Sequence, residues 1–379
     1  MMVSLALGGL SLAIWTYLVV ARGRFWLGGE RDDRGMPAVE PAVWPAVVAV
    51  VPARDEADVI ARSIGSLLAQ DYPGPFRIIL VDDQSEDGTG DVARALGGDG
   101  RLQVLASADR PPGWTGKLWA VSQGVAHAGP DPRYLLLTDA DIGHDPQNLR
   151  RLVARAEAGG LVLTSLMVRL HCGTWPERLL IPAFVYFFEM LFPFAWVNRP
   201  GPVAAGAGGC MLARRDALEA AGGIAAIRRE IIDDCALARL MKAQGPIWLG
   251  LTERVESLRP YESLGEIGRM VSRSAYAQLG YSVLALAGVL TGMGLTYLAP
   301  PLVALFGVGP GWIAGAGAWL LMAISFQPTL RLYRCSPLWG AALPLIGVIY
   351  TLFTLDSAVQ VWRGRGGMWK GRAQAMAAP

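Results

Sequence analysis

The chain has 379 residues, with 34 Lys plus Arg against 32 Asp plus Glu and a formal net charge of +2. That balance removes the electrostatic case for a dedicated nucleic-acid binder. A hydrophobic content of 53% with 17% charged residues is too apolar for a disordered chain and above the norm for a soluble one.

The charge is concentrated between Arg22 and Arg273, which leaves both ends apolar, the layout of a polar domain set between membrane segments. Cys172, Cys210, Cys235 and Cys335 form no CxxC pair, and with only three His they give no zinc pattern. Such usage suits a reducing cytoplasm.

Residues 1–20 carry no charge, and Arg22 and Arg24 come directly after them. A helix of that length, at about 1.5 Å per residue, matches the roughly 30 Å hydrocarbon core. The missing basic n-region and the arginines after the apolar run favour an uncleaved anchor, residues 1–21, over a signal peptide. The positive-inside tendency then puts the chain beyond Arg22 in the cytoplasm. A linker, 22–45, Pro/Ala-rich near its end, leads to a domain expected over 46–275.

AVVAVVP at 46–52 is short, apolar and β-branched, as in a strand buried on both faces. Val59, Ile60, Ile64, Leu67 and Leu68 then fall at helical spacing. FRIILVDD predicts a second strand, Thr89–Leu96 a helix, RLQVL a third strand, Lys117–His127 a helix, and RYLLLTDAD a fourth strand. This alternation predicts an α/β, doubly wound, mostly parallel sheet, whose ligands bind beyond the carboxyl ends of the strands. Arg54, Asp55, Glu56, Asp82, Asp83, Asp139 and Asp141 therefore share one rim.

Next comes LLIPAFVYFFEMLFPFAWV at 179–197, interrupted by Pro182 and Pro193, which reads either as a core helix or as a segment on a membrane surface. A Gly-rich approach, GPVAAGAGGCMLARRDAL, is either a core loop or a close backbone approach to a sugar. Asp233 and Asp234 open a helix. Arg269 and Arg273, one helical turn apart, are either membrane-flanking anchors or contacts to a diphosphate.

The C-terminal region, 280–362, holds apolar stretches at 281–308, 311–330 and 338–361, with Pro300-Pro301 breaking into the first. Four spans from an outside start would leave the basic tail, 363–379, outside, against the positive-inside rule. A re-entrant or interfacial stretch within 281–308 would restore it, so two or three C-terminal spans are expected and the parity stays open.

A single Asp after a strand is commonly a helix cap, which suffices for Asp55 or Asp87. Several acids on one rim raise one another's pKa, and a hard cation such as Mg²⁺ or Mn²⁺, held by one or two carboxylates and a substrate phosphate, relieves the repulsion. Asp139 and Asp141, directly after a buried strand, fit that use. His144 lies close by, as a further ligand or a turn-stabilising residue. Lys117 is either a solvated residue at a helix start or a point charge on a diphosphate leaving group. In Asp233-Asp234 one acid suffices as a cap; the other suits a general base for an acceptor hydroxyl. Successive residues at a helix start point in different directions, so only one is expected to face the pocket.

Together these segments resemble glycosyltransferase family 2, of GT-A fold. VVPARDEADVIARSIGSLLAQDYP is similar to the family's first nucleotide-binding segment, IILVDDQSEDGT to its second, LLLTDADIGHDP to its DxD segment and IIDDCALARLMKAQG to its acidic-pair helix. GWTGKLWA, RSAYAQLGYS and the membrane layout resemble the hopanoid-biosynthesis-associated membrane glycosyltransferases. The resemblance implies a UDP-sugar donor. Asp83 would then meet uracil and ribose, Glu56 and Pro52 shape that pocket, and Asp139 and Asp141 bind ribose and metal, with Asp141 the main ligand. It implies Asp234 as the base, with Asp233 beside it. The processive members' Gln-x-x-Arg-Trp is replaced by Met270-Val271-Ser272-Arg273-Ser274, so Arg273 is kept and single-sugar transfer to a lipid acceptor is expected. Two rivals are a sugar-phosphate nucleotidyltransferase, argued against by the glycine-free turn ARDEA, and an inert membrane scaffold, argued against by the intact acids.

Overall fold

The computed structural model describes residues 1–37, 40–97, 99–369 and 372–373. Of the basic tail, Lys370, Gly371 and 374–379 lie outside the described residues. Two compact units emerge.

The α/β unit comprises Glu30–His171, Trp196–Arg259 and the chain end from Gly367. Its sheet holds β1 (Val47–Ala53), β2 (Phe76–Asp82), β3 (Leu102–Ala106), β4 (Tyr134–Leu137), β5 (Ile142–His144), β6 (Leu163–Arg169), β7 (Met211–Arg214) and β8 (Ile247–Ser257). The order is β3-β2-β1-β4-β7-β6-β8-β5. β1 pairs in parallel with β2 and β4, while β7 and β5 run against the rest, so the mostly parallel expectation holds. Every residue of β1 is buried, which is why that segment reads as an unbroken apolar run. Val47, Ala49 and Val51 pack with Ile60, Ile64 and Leu67 of the helix Ile60–Leu68 and with Leu136 of β4 in one core.

The expected linker is docked rather than free at Arg31–Asp32. Asp32 N–H donates to the Leu251 carbonyl at 3.0 Å, and its carboxylate accepts from the Thr252 hydroxyl at 2.7 Å.

The helical unit comprises Met1–Gly29, Cys172–Ala195 and Pro260–Gly366. Within the expected 46–275, residues 172–195 and 260–275 group with Met1–Gly29 and the later apolar helices. Glu177 explains part of this. It closes a capping box with Thr174 on the helix Trp175–Leu191, is fully buried, and also accepts the Tyr261 N–H at 2.7 Å.

Among the described residues five helices are long and apolar enough to cross a membrane: Met2–Val20, Trp175–Val197, Val283–Phe306, Gly311–Leu332 and Pro337–Trp362. Pro182 sits inside its helix without ending it. Pro300-Pro301 does not break the first C-terminal stretch either. Ahead of it Gly294–Leu298 widens to a π-helix, the usual accommodation for a disrupted ladder. The two prolines offer no N–H to carbonyls one turn back. Ser11 donates instead to the Leu295 carbonyl at 2.8 Å and Trp15 Nε1 to that of Thr296 at 2.7 Å, both side chains fully buried. Close approach requires Gly8, where a Cβ would lie 2.6 Å from the Gly311 carbonyl oxygen.

Candidate active site

The site is built on the carboxyl ends of β1, β2 and β4, as expected of this sheet. Two kinds of acid occupy that rim.

Beyond β1 and β2, Asp55, Asp82 and Asp87 bind backbone, while Glu56 pairs with Arg259. Asp55, at φ +51°, accepts the Glu86 N–H at 2.9 Å, and Asp87 accepts those of Ala57 at 2.9 Å and Thr89 at 3.0 Å. Asp82 accepts the Ser85 N–H at 3.0 Å. Arg54 donates to the carbonyls of Asp83 at 2.6 Å and Gln84 at 3.2 Å. These bonds tie the β1 loop to the β2 loop. Burial tends to raise the Asp87 pKa, yet its hydrogen bonds outweigh that and hold it below the ordinary carboxylate value. Asp83 ends this group, buried beside Arg54.

Beyond β4 the acids meet cations and one another. Pro52, Lys117, Asp139, Gly208, Asp233 and Asp234 line one cleft, floored by Leu118, Val121, Met211 and Leu237. Lys117 stands in the first turn of the helix Gly116–His127, capped by Thr115. Its ammonium bridges Asp139 at 2.8 Å and Asp233 at 3.0 Å. Burial pushes that ammonium's pKa down; the two carboxylates outweigh it and hold it well above the ordinary lysine value.

Both acids of the pair line the cleft, which corrects the expectation that only one faces in. The helix Asp233–Lys242 takes Ile232 as its N-cap and gets no side-chain cap, so neither acid is spent on that task. Asp233 turns to Lys117. Asp234 accepts the Cys235 N–H at 2.7 Å and the Gly208 N–H at 3.1 Å. A Cβ at Gly208 would meet Lys117 Nζ at 3.4 Å and Asp234 Cβ at 3.5 Å, ordinary contact distances. Burial, then the Asp233 charge, push the Asp234 pKa up to about 6 against the pull of Lys117.

Asp141 sits on the turn between β4 and β5. Burial and the charges of Asp139 and Glu56 push its pKa up to about 6. The opposing cation is Arg259, just past β8, which the sequence pattern does not single out. Arg259 pairs with Glu56, lies 3.5 Å from Asp58, and points Nε at the Asp141 carboxylate at 3.9 Å.

His144 is no ligand in this arrangement. It is buried in β5, with Nε2 3.0 Å from the Thr138 hydroxyl and Nδ1 3.0 Å from the Asn148 amide, and burial pushes its pKa down to about 4. Arg273 belongs to the helical unit, exposed at the end of the helix Leu264–Ser272.

The donor set fits a hard divalent cation. Asp139 and Asp141 raise the charge density at one spot, and a guanidinium is already drawn into it. Among the described residues no three acid, His or Cys groups are placed to hold a metal, so any ion here takes its remaining oxygens from substrate and water.

Known proteins resemble part of this chain. Residues 48–222 match the family described as Glycosyl transferase family 2. Asp233, Asp234 and Arg259 lie beyond the matched residues.

It is 36% identical over 125 residues to the succinoglycan biosynthesis protein ExoO of Rhizobium meliloti, covering 33% of either chain. To an N-acetylglucosaminyltransferase of Mesorhizobium japonicum it is 28% identical over 187 residues, 48% of this chain and 42% of that one. The match thus spans less than half the length of these curated relatives. A mannosyltransferase from Pyrobaculum calidifontis, solved in complex with GDP-Man and Mn²⁺, superposes over 93% of this chain and 99% of its own with a TM-score of 0.55 at 19% identity. That likeness establishes the GT-A-type fold.

Proposed function

We propose that the protein is a membrane-bound inverting glycosyltransferase that moves a single sugar from a nucleotide-diphosphate sugar, UDP-linked, to a lipid acceptor. The observation that carries this is the cleft where Lys117 links the DxD acid Asp139, within the residues that match family 2, to Asp233 beside the backbone-held Asp234.

Pro52, Glu56 and Asp83 hold the nucleoside at the ends of β1 and β2. Asp234, raised toward neutrality, takes the proton of the acceptor hydroxyl as that oxygen attacks the anomeric carbon opposite the leaving diphosphate. Asp233 and Lys117 keep Asp234 oriented and its charged form tolerable. Asp139 and Asp141 would hold a Mg²⁺ or Mn²⁺ ion, which when bound supplies charge stabilisation on the diphosphate. Mn²⁺ accompanies the nucleotide sugar in the Pyrobaculum enzyme.

Five apolar helices support a multi-pass protein of the bacterial inner membrane with the α/β unit in the cytoplasm. The domain plan is then an anchor at 1–21, a catalytic unit within 46–275 and a membrane region at 280–362. GWTGKLWA and RSAYAQLGYS support a place in hopanoid lipid metabolism. Lipid mass spectrometry of cells with and without the gene is the test. A glycosylated lipid that disappears with the gene, together with UDP-sugar consumption by the purified protein, is the expected result; no change in either rejects the reading.

A further inference from the structure

Arg259 is the last residue of the α/β unit before Gly367, and its side chain spans the gap between the β1 loop and the DxD turn. Its contacts are all carboxylates: Glu56 by one guanidinium nitrogen, Asp58 from the same nitrogen at 3.5 Å, and Asp141 from Nε at 3.9 Å. The backbone beside it is pinned, since Leu258 N–H donates to the Asp141 carbonyl at 2.7 Å. The side chain itself keeps about a third of its surface in solvent, with 31% exposed. The root is thus fixed while the side chain is partly open to solvent. Lys117 has less freedom, held between Asp139 and Asp233.

We propose that Arg259 is a placeholder cation: it neutralises Asp141 in place of the divalent ion, yields that carboxylate when the ion arrives, and then grips the donor diphosphate. A divalent ion competes for the same carboxylate oxygens that Arg259 neutralises. Binding alone, the ion has to evict a guanidinium and leave it facing a second positive centre. Binding with a nucleoside diphosphate, it gives the evicted fork two phosphates to grip, a geometry that guanidinium matches in bidentate fashion. Ion and nucleotide therefore strengthen each other's binding through one side chain, and reciprocally. The nucleotide half of this assignment rests on the glycosyl-transfer reading; the neutralisation of Asp141 does not.

The test measures Mn²⁺ binding to the full chain in detergent by electron paramagnetic resonance, with and without UDP. In the wild type, UDP should tighten Mn²⁺ by about 5–150-fold, the usual span of coupling between sites. Arg259→Gln should bind Mn²⁺ alone more tightly than wild type and lose most of the UDP effect. Arg259→Lys, which keeps the charge without the fork, should fall between them and serves if the glutamine variant does not fold. Unchanged or weaker Mn²⁺ binding by Arg259→Gln overturns the proposal, as does a wild type that shows no UDP effect while turning over UDP-sugar. If Arg259→Gln gains Mn²⁺ affinity while no nucleotide sugar is consumed by wild type, the placeholder role stands and the transferase reading falls.

Discussion

Asp55, Asp82 and Asp87 beside β1 and β2, and the acids of the cleft, Asp139 and Asp141 after β4 with Asp233 and Asp234 at a helix start, share one rim yet are used differently. Asp55, Asp82 and Asp87 accept backbone N–H groups and fasten one loop to the next. Asp139, Asp141, Asp233 and Asp234 face Lys117, Arg259 or each other, and the pKa values of Asp141 and Asp234 rise to about 6. Position on the fold puts an acid at the rim. What it is bonded to decides whether it is scaffold or chemistry.

The contrast breaks most sharply at Asp141. Asp141→Asn, or chelation with EDTA, should abolish turnover while the melting temperature stays near wild type; activity that persists under either treatment removes the metal from the reaction. Next comes the base. Asp234→Asn should lower transfer by about 10²–10⁴-fold, the range of general-base assistance, with UDP affinity near wild type. Asp233→Asn should cost less in rate and more in stability, because it leaves Lys117 with one carboxylate instead of two. A dead Asp233→Asn beside an active Asp234→Asn would exchange the two roles.

The same base sets a pH limb. As the proposed base Asp234 would work deprotonated, and with its pKa pushed up to about 6, kcat/KM should fall about tenfold per pH unit below that value and level off above it. A profile flat down to pH 4.5 would assign the proton elsewhere.

Smaller effects belong to the first two strands. Asp83→Ala should weaken UDP by about 1–3 kcal/mol, the scale of hydrogen bonds to a charged group, as calorimetry can check. Asp87→Ala should leave catalysis intact and lower stability by about 1 kcal/mol, as for a lost cap, readable in chemical denaturation. A large loss of turnover there would erase the distinction between the two kinds of acid.

Much of this rim is legible in the sequence because its signal is local. A buried parallel strand leading into acids and a helix announces itself within a short stretch of chain, and so the placement of Asp83, Asp139 and Lys117 needs no tertiary knowledge. Arg259 is different. It reaches Glu56 across a sequence separation of 203, and nothing in ESLRPYES distinguishes it from a surface arginine. A β-strand of mixed burial, β8, delivers it, and only strand pairing shows where. The two inward-facing acids at 233–234 escape a local reading for a related reason. Ile232, not an acid, caps that helix, and Lys117 draws Asp233 toward the cleft. Likewise Pro300-Pro301 reads as a break only while the donors of Ser11 and Trp15 are out of sight.

Those two donors bear on how the polypeptide is made and how it can be cut. Met2–Val20 leaves the ribosome long before Val283–Phe306 is synthesised, so for most of translation its hydroxyl and indole N–H wait without the carbonyls they later serve. When the later helix arrives, it brings two acceptors that its own ladder cannot satisfy, and in the membrane setting proposed above no water would compensate. Removing residues 1–21 to obtain a more tractable fragment would therefore strand both carbonyls in the distant helix. Supplying that first helix as a separate peptide should restore the shortened protein.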